Sequence, residues 1–212
     1  MLKLYYAPGA CSMASHIGLE EAGTAYETQR VALAKGEQRS EAYLKVNPRA
    51  KVPALVLDDG SVITENTAIL FYLARKFPEK NLMPKDLAGE ARCVSTMAWF
   101  SNVVHPSFTH INRPERFAED ESAHPALKDT GRKNFWTNLQ EIDRLLAGKQ
   151  WMQGTAFTTC DPYALVFYGW GLRIDQPMTT LANYTAWKDR MIARPAVRRI
   201  LERENSPIIA NG

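Results

Sequence analysis

Apolar and polar positions change rhythm several times in the first third of the chain, and each change marks an element. Leu2 to Tyr6 is a short apolar, aromatic run closed by Pro8-Gly9, which predicts a strand with Tyr5 and Tyr6 on opposite faces. From Ser12 to Ala22 the apolar residues Ile17, Leu19 and Ala22 are set against Glu20-Glu21, and Gly23 suits the position after a helix end. Tyr26 to Leu33 reads as a second strand, residues 34–38 as a polar loop, and residues 40–48 as a short helix stopped by Pro48. Two apolar runs, Ala54–Leu57 and Ser61–Thr64, flank Asp58-Asp59-Gly60, a strong hairpin signal. Glu65 to Phe77 then carries Ile69, Leu70, Leu73 and Ala74 on one helical face and ends at Pro78. Parallel strands joined through helices, followed by an antiparallel hairpin, predict a mixed sheet covered by helices.

After residue 86 the rhythm is helical throughout. Residues 78–86 have the composition of a linker, and helices fit roughly 87–112, 126–147, 159–173, 179–193 and 196–204. Thr158 and Asp161 have capping-box spacing, and Pro162 falls in a first turn that tolerates it, so the apolar helix they open is expected at the centre of this part. The fold class is therefore α/β followed by all-α: a small domain over residues 1–78 and a helical one over 87–212. No repeat or low-complexity tract interrupts the pattern.

Composition narrows the class. A formal charge of +3 over 212 residues, with no dense Lys/Arg run, argues against a nucleic-acid groove. No apolar run is long enough to span a bilayer, and the first residues lack the layout of a signal peptide. The three cysteines, Cys11, Cys93 and Cys160, are odd in number and widely spaced, matching neither a disulfide framework nor a zinc site. The expectation is a cytoplasmic protein in a reducing compartment, with no metal and no membrane partner.

One position carries candidate chemistry by itself. Cys11 stands where a strand ends and a helix begins, and unpaired N–H groups and the positive dipole end there favour a thiolate. Burial at the same corner would push the other way. Cys93 and Cys160 read as structural, and position 14 is Ala, so Cys11 has no partner for a dithiol cycle of C-x-x-C type. Monothiol exchange stays open.

The stretches KLYYAPGACS, NPRAKVPALVLDDG, TENTAILFYLARKFPE, HPSF and FTTCDPYAL occur in the order found in glutathione transferases, and the chain resembles the bacterial beta class over nearly its whole length. The resemblance implies a thioredoxin-like glutathione-binding domain, a helical domain shaping a pocket for a hydrophobic electrophile, and a homodimer. It implies catalytic roles at Cys11, Tyr6, Ser12 and His105. Cys11 would meet the glutathione sulfur and form a mixed disulfide with it, Tyr6 would offer a hydroxyl in a secondary role or pack near the site, Ser12 would offer a hydroxyl or cap the helix, and His105 would approach the sulfur from the helical domain or cap a broken helix. It also implies a glutathione site of Ala10, Cys11, Lys35, Lys51, Val52, Pro53, Glu65 and Asn66. Val52-Pro53 would be a cis turn pairing with the peptide ligand. Glu65 would take the γ-glutamyl amine, Asn66 and neighbouring N–H groups the carboxylate, and Lys35 and Lys51 the glycyl carboxylate.

Three positions depart from the family pattern: Asn66 where Ser is usual, Lys51 where many relatives have Gln, and Pro106 where some have Lys. Pro106 is expected to kink or end the helix at His105. Trp99, Phe100, Phe108, Tyr163 and Phe167 are candidates for the electrophile side, with core packing as their plainer reading. A glutathione-dependent reductase, dehalogenase or isomerase, and a non-catalytic ligand-binding protein, are the rival readings on the same scaffold.

Overall fold

A computed structural model describes residues 1–210. Strand β1 (Leu2–Tyr6) leads through helix α1 (Ser12–Ala22) to the parallel strand β2 (Tyr26–Arg30). Helix α2 (Glu41–Leu44) precedes the hairpin of β3 (Ala54–Val56) and β4 (Val62–Thr64), and β3 runs antiparallel to β1. The sheet order is β2-β1-β3-β4, and α3 (Asn66–Lys76) closes the unit. Alternation along β1 buries Leu2, Leu4 and Tyr6 with Leu19, Leu55, Ile69 and Leu73. Tyr5 faces the other way and meets Tyr43 edge-on at 5.6 Å.

The second strand is shorter than expected. Once β1 has ended at Tyr6, its carbonyl takes the Val31 N–H at 2.8 Å and no ladder remains beyond it. The chain instead makes two 3-10 turns, Leu33–Lys35 and Glu37–Arg39, where the sequence suggested strand and loop.

Beyond a 3-10 turn at Pro78–Lys80, the long elements among the described residues are helices: α4 (Leu87–Trp99), α5 (His105–Asn112), α6 (His124–Leu146), α7 (Cys160–Arg173), α8 (Ala182–Ile192), α9 (Pro195–Arg203) and the short α10 (Pro207–Ala210). None of them is long and apolar enough to cross a membrane. The helix does not end at His105. A π turn over Phe100–Val104 joins α4 to α5, with the His105 N–H bonded to the Phe100 carbonyl, so Pro106 enters where the helix is already widened.

Helix α1 is the hub. It packs against α3 on one side and α7 and α9 on the other, so its residues are buried from Ser12 to Leu19. Gly18 permits this, because a Cβ there would come within 2.8 Å of Leu70. Helix α7 is buried from Cys160 to Gly171. Asp161 starts it, accepting from the Thr158 N–H at 2.7 Å, the Met152 N–H at 2.9 Å and the Trp187 indole at 2.9 Å.

Candidate active site

The corner between β1 and α1 is built from backbone turns and held from a distance. The Ser12 hydroxyl donates to the Ala7 carbonyl and accepts from the Ala7 N–H, each at 3.1 Å, while the Ala10 N–H returns to the Ala7 carbonyl at 3.0 Å. Gly9 has φ +70, and a Cβ there would collide with the Arg173 guanidinium, so glycine is needed twice over. Its carbonyl accepts from the Trp170 indole at 3.1 Å and from Arg173 at 2.9 Å. Its N–H donates to Glu204 at 3.2 Å, and the other oxygen of that carboxylate lies 2.8 Å from His16 Nδ1.

Cys11 is partly exposed and its Sγ donates to the Val52 carbonyl at 3.6 Å. The Val52-Pro53 bond is cis. The segment before it is pinned at the Lys51 carbonyl, which accepts from the Tyr43 hydroxyl and the Asn47 amide, both at 2.7 Å. The Val52 N–H donates to no other described residue. Next to this edge, Glu65 is exposed with φ 71 and ψ 128, a strained conformation for a side chain with a Cβ. No side chain caps the N-terminus of α3 that follows it.

Burial pushes the Cys11 thiol up to about 12, and the Glu65 carboxylate adds to the rise; Asn66, the cysteine's own N–H and Lys51 act the other way. At this corner desolvation outweighs the helix end, and the free thiol stays protonated at neutral pH. The buried Tyr163 hydroxyl belongs to the same surroundings. Its pKa is raised, first by burial and then by Cys11, while Asn66 lowers it.

Several expected residues are placed otherwise than the resemblance implies. The Ser12 hydroxyl is fully buried and occupied on both sides by Ala7, so it closes the turn instead of facing a ligand sulfur. Tyr6 is buried in the sheet core with its ring 4.8 Å from that of His16. The Asn66 side chain points inward, accepting from Ser15 at 2.6 Å and donating to the Cys11 carbonyl at 2.9 Å, which leaves its backbone N–H for a ligand. Lys35 is exposed at the end of a 3-10 turn, and no hydrogen bond or ion pair among the described residues links it to Cys11. Ala10 and Val52 pack together beside Ala7, and Pro53 is buried.

His105 does lie in the electrostatic reach of Lys51, as Cys11 does. Its ring stands edge-on to Trp170 at 4.8 Å. Burial, then Lys51 and Arg116, push its pKa down to about 4, so it is a neutral imidazole at pH 7 and not a cation. Phe100, Phe108, Tyr163 and Phe167 are buried in the helical core, and Trp99 is only partly buried.

Sequence reasoning missed the residues that hold the corner: His16, Trp170, Arg173 and Glu204. They lie up to 195 positions from what they hold, and a bond to a backbone atom leaves no local motif. It also missed that Cys93 and Cys160 touch, with Sγ atoms 3.1 Å apart.

Comparison with known proteins agrees with this fold. Residues 1–75 match the glutathione S-transferase N-terminal domain family. The chain is similar to glutathione S-transferase GstA of Escherichia coli O157:H7, with 33% identity over 205 residues covering 96% of this chain and 98% of that one. A glutathione transferase homologue from Sulfitobacter, solved with bound glutathione, superposes with TM-score 0.92 at 29% identity, covering 96% of this chain and 98% of the other. The bacterial beta-class transferase of Sphingomonas chungbukensis gives TM-score 0.84 at 33% identity, covering 95% and 98%. The chain belongs to the glutathione S-transferase family.

Proposed function

We propose that this glutathione transferase holds its cosubstrate, glutathione, with the sulfur against Cys11 and the cysteinyl backbone along Val52. The observation that carries the reading is the juxtaposition of the Cys11 thiol, the Val52 edge with its free N–H, and the uncapped start of α3. An extended peptide can pair with such an edge. Backbone N–H groups of Asn66 and Thr67 suit a carboxylate, Glu65 suits the γ-glutamyl amine, and Lys51 suits the glycyl carboxylate. Lys35 is left out, because nothing supports a place for it beside the others.

In conjugation, the glutathione thiolate attacks a hydrophobic electrophile, a thioether forms and the leaving group departs with the displaced electron pair. The neutral His105 would offer an N–H toward the sulfur, and the partly buried Trp99 would border the second substrate. Thiol exchange is the companion reaction: Cys11 attacks oxidised glutathione, forms a mixed disulfide and releases one reduced glutathione. The same reading includes a detoxifying role in the cytoplasm and units over 1–78 and 87–212, of which residues 211 and 212 lie outside the described chain. It also includes a homodimer, supported by the exposed Phe71 and Leu87 flanking the Arg75–Glu90 ion pair between α3 and α4.

Intact-protein mass spectrometry after incubation with oxidised glutathione tests the reading. One adduct, lost in Cys11→Ala, is expected. An unmodified wild type, or an adduct that survives the substitution, would overturn the assignment of Cys11.

A further inference from the structure

Two helices of the second unit each bring a cysteine to one buried point. Cys93 lies in the middle of α4 and Cys160 is the first residue of α7, and these helices pack together. Both side chains are fully buried, both are free thiols, and their Sγ atoms are 3.1 Å apart. Their surroundings are not purely apolar. Cys160 Sγ also reaches the Cys93 carbonyl at 3.4 Å, the Gln153 amide donates to Cys160 Sγ at 3.5 Å, and the Thr159 hydroxyl lies 3.7 Å from Cys93 Sγ.

A partly exposed side chain reaches the pair: Gln153, which touches Cys160 Sγ, is anchored to Thr96 at 2.9 Å and belongs to a segment whose residues 155 and 156 are exposed. A pair held at contact distance needs little further ordering to react, which is where most of the cost of an encounter lies.

We propose that Cys93 and Cys160 form an oxidisable pair that closes to an intrachain disulfide when a small hydroperoxide reaches it. The contact between the two sulfurs makes them interchangeable at the first step. Either thiol, on losing its proton, attacks the peroxide oxygen; the O–O bond breaks, water leaves after proton uptake, and a sulfenic acid remains on that cysteine. The other thiol then attacks that sulfur, the S–S bond forms and a second water departs. In sum, two thiols are oxidised by two electrons and one hydrogen peroxide is reduced to two waters. The product ties α4 to the start of α7, and a dithiol reductant reverses it.

The test uses the full chain carrying Cys11→Ala, which removes the thiol expected to react with glutathione and separates this pair from the Cys11 reading. The reduced protein is exposed to hydrogen peroxide in native buffer, then denatured and titrated with a maleimide, with intact mass recorded in parallel. Loss of both thiols, a mass lower by the two thiol hydrogens and full recovery with dithiothreitol are expected. Non-reducing peptide maps of wild type should show the Cys93 and Cys160 peptides linked, a readout independent of any variant. Two maleimide-reactive thiols after peroxide, oxygen addition at either sulfur without cross-linking, or a link from either one to Cys11 would overturn the proposal.

Discussion

At the scale of single residues, burial decides the chemistry. Cys11 stands at a helix start, yet its thiol is raised to about 12 because desolvation and Glu65 outweigh Asn66 and Lys51. In the ligand-free protein its alkylation by iodoacetamide at pH 7.5 should be on the order of 100-fold or more slower than that of an unstructured cysteine, as followed by mass spectrometry. Glu65→Gln removes a charge that opposes the thiolate, so Cys11 should alkylate several-fold faster in that variant. An unchanged rate would mean that the carboxylate is not felt at the sulfur. His105 shows the opposite sign. Its pKa falls from 6.5 to about 4, so the unfolded chain binds the extra proton first as pH drops. Stability from this group is intact above pH 6.5 and is lost as pH falls toward 4, by about 3 kcal/mol at the acid end. Urea unfolding at pH 7 and pH 4.5 should show a shallower acid loss for His105→Gln than for wild type; equal losses would refute the assignment.

At the scale of elements, α7 does more than fill the core. Trp170 and Arg173, one turn apart, both donate to the Gly9 carbonyl and so set the loop that delivers Cys11. Trp170→Phe loses the N–H and one ring of a buried indole, with Arg173 still in place, so about 2–3 kcal/mol of stability is expected to go. Combining it with Arg173→Ala strips the carbonyl of both donors. Calorimetry should then show glutathione affinity falling more than the sum of the single effects, and strict additivity would argue against a shared acceptor. The elements themselves were largely legible in the chain, because their signals are local. Gly23 after α1, Asp58-Asp59-Gly60 in the hairpin and Pro78 after α3 each act within a turn. Pro106 misled because the adjustment that accommodates it is the π turn before it, and nothing at Phe100–Val104 announces such a turn.

For the whole molecule, the two ends of the described chain meet at one carboxylate. Glu204 is buried between the Gly9 N–H and His16, 188 positions from the latter. Glu204→Gln places an amide donor where two donors are already served, and should cost about 3 kcal/mol in urea unfolding. A loss below about 0.5 kcal/mol would mean that the site relaxes around the amide. This is also where legibility ended. The positions of Cys11, Val52-Pro53 and Glu65 along the chain are readable, but the direction of a side chain is not. Asn66 and Ser12 turn inward to backbone partners that only the packed helices define. His16 and Glu204 have no shared motif at all.

That long reach has a consequence for the protein's birth. The Gly9 loop is synthesised 195 residues before Glu204, which at ~5–20 residues per second is roughly 10–40 s of translation. For the first 161 residues of that interval nothing from α7 can clasp the loop, and Glu204 is added only at its end. The burial that suppresses its thiol is incomplete until then, so Cys11 leaves the ribosome with the acidity of an ordinary cysteine. Its most exposed moment toward oxidants and electrophiles comes before the enzyme exists, and helices synthesised late in the chain are the ones that end it.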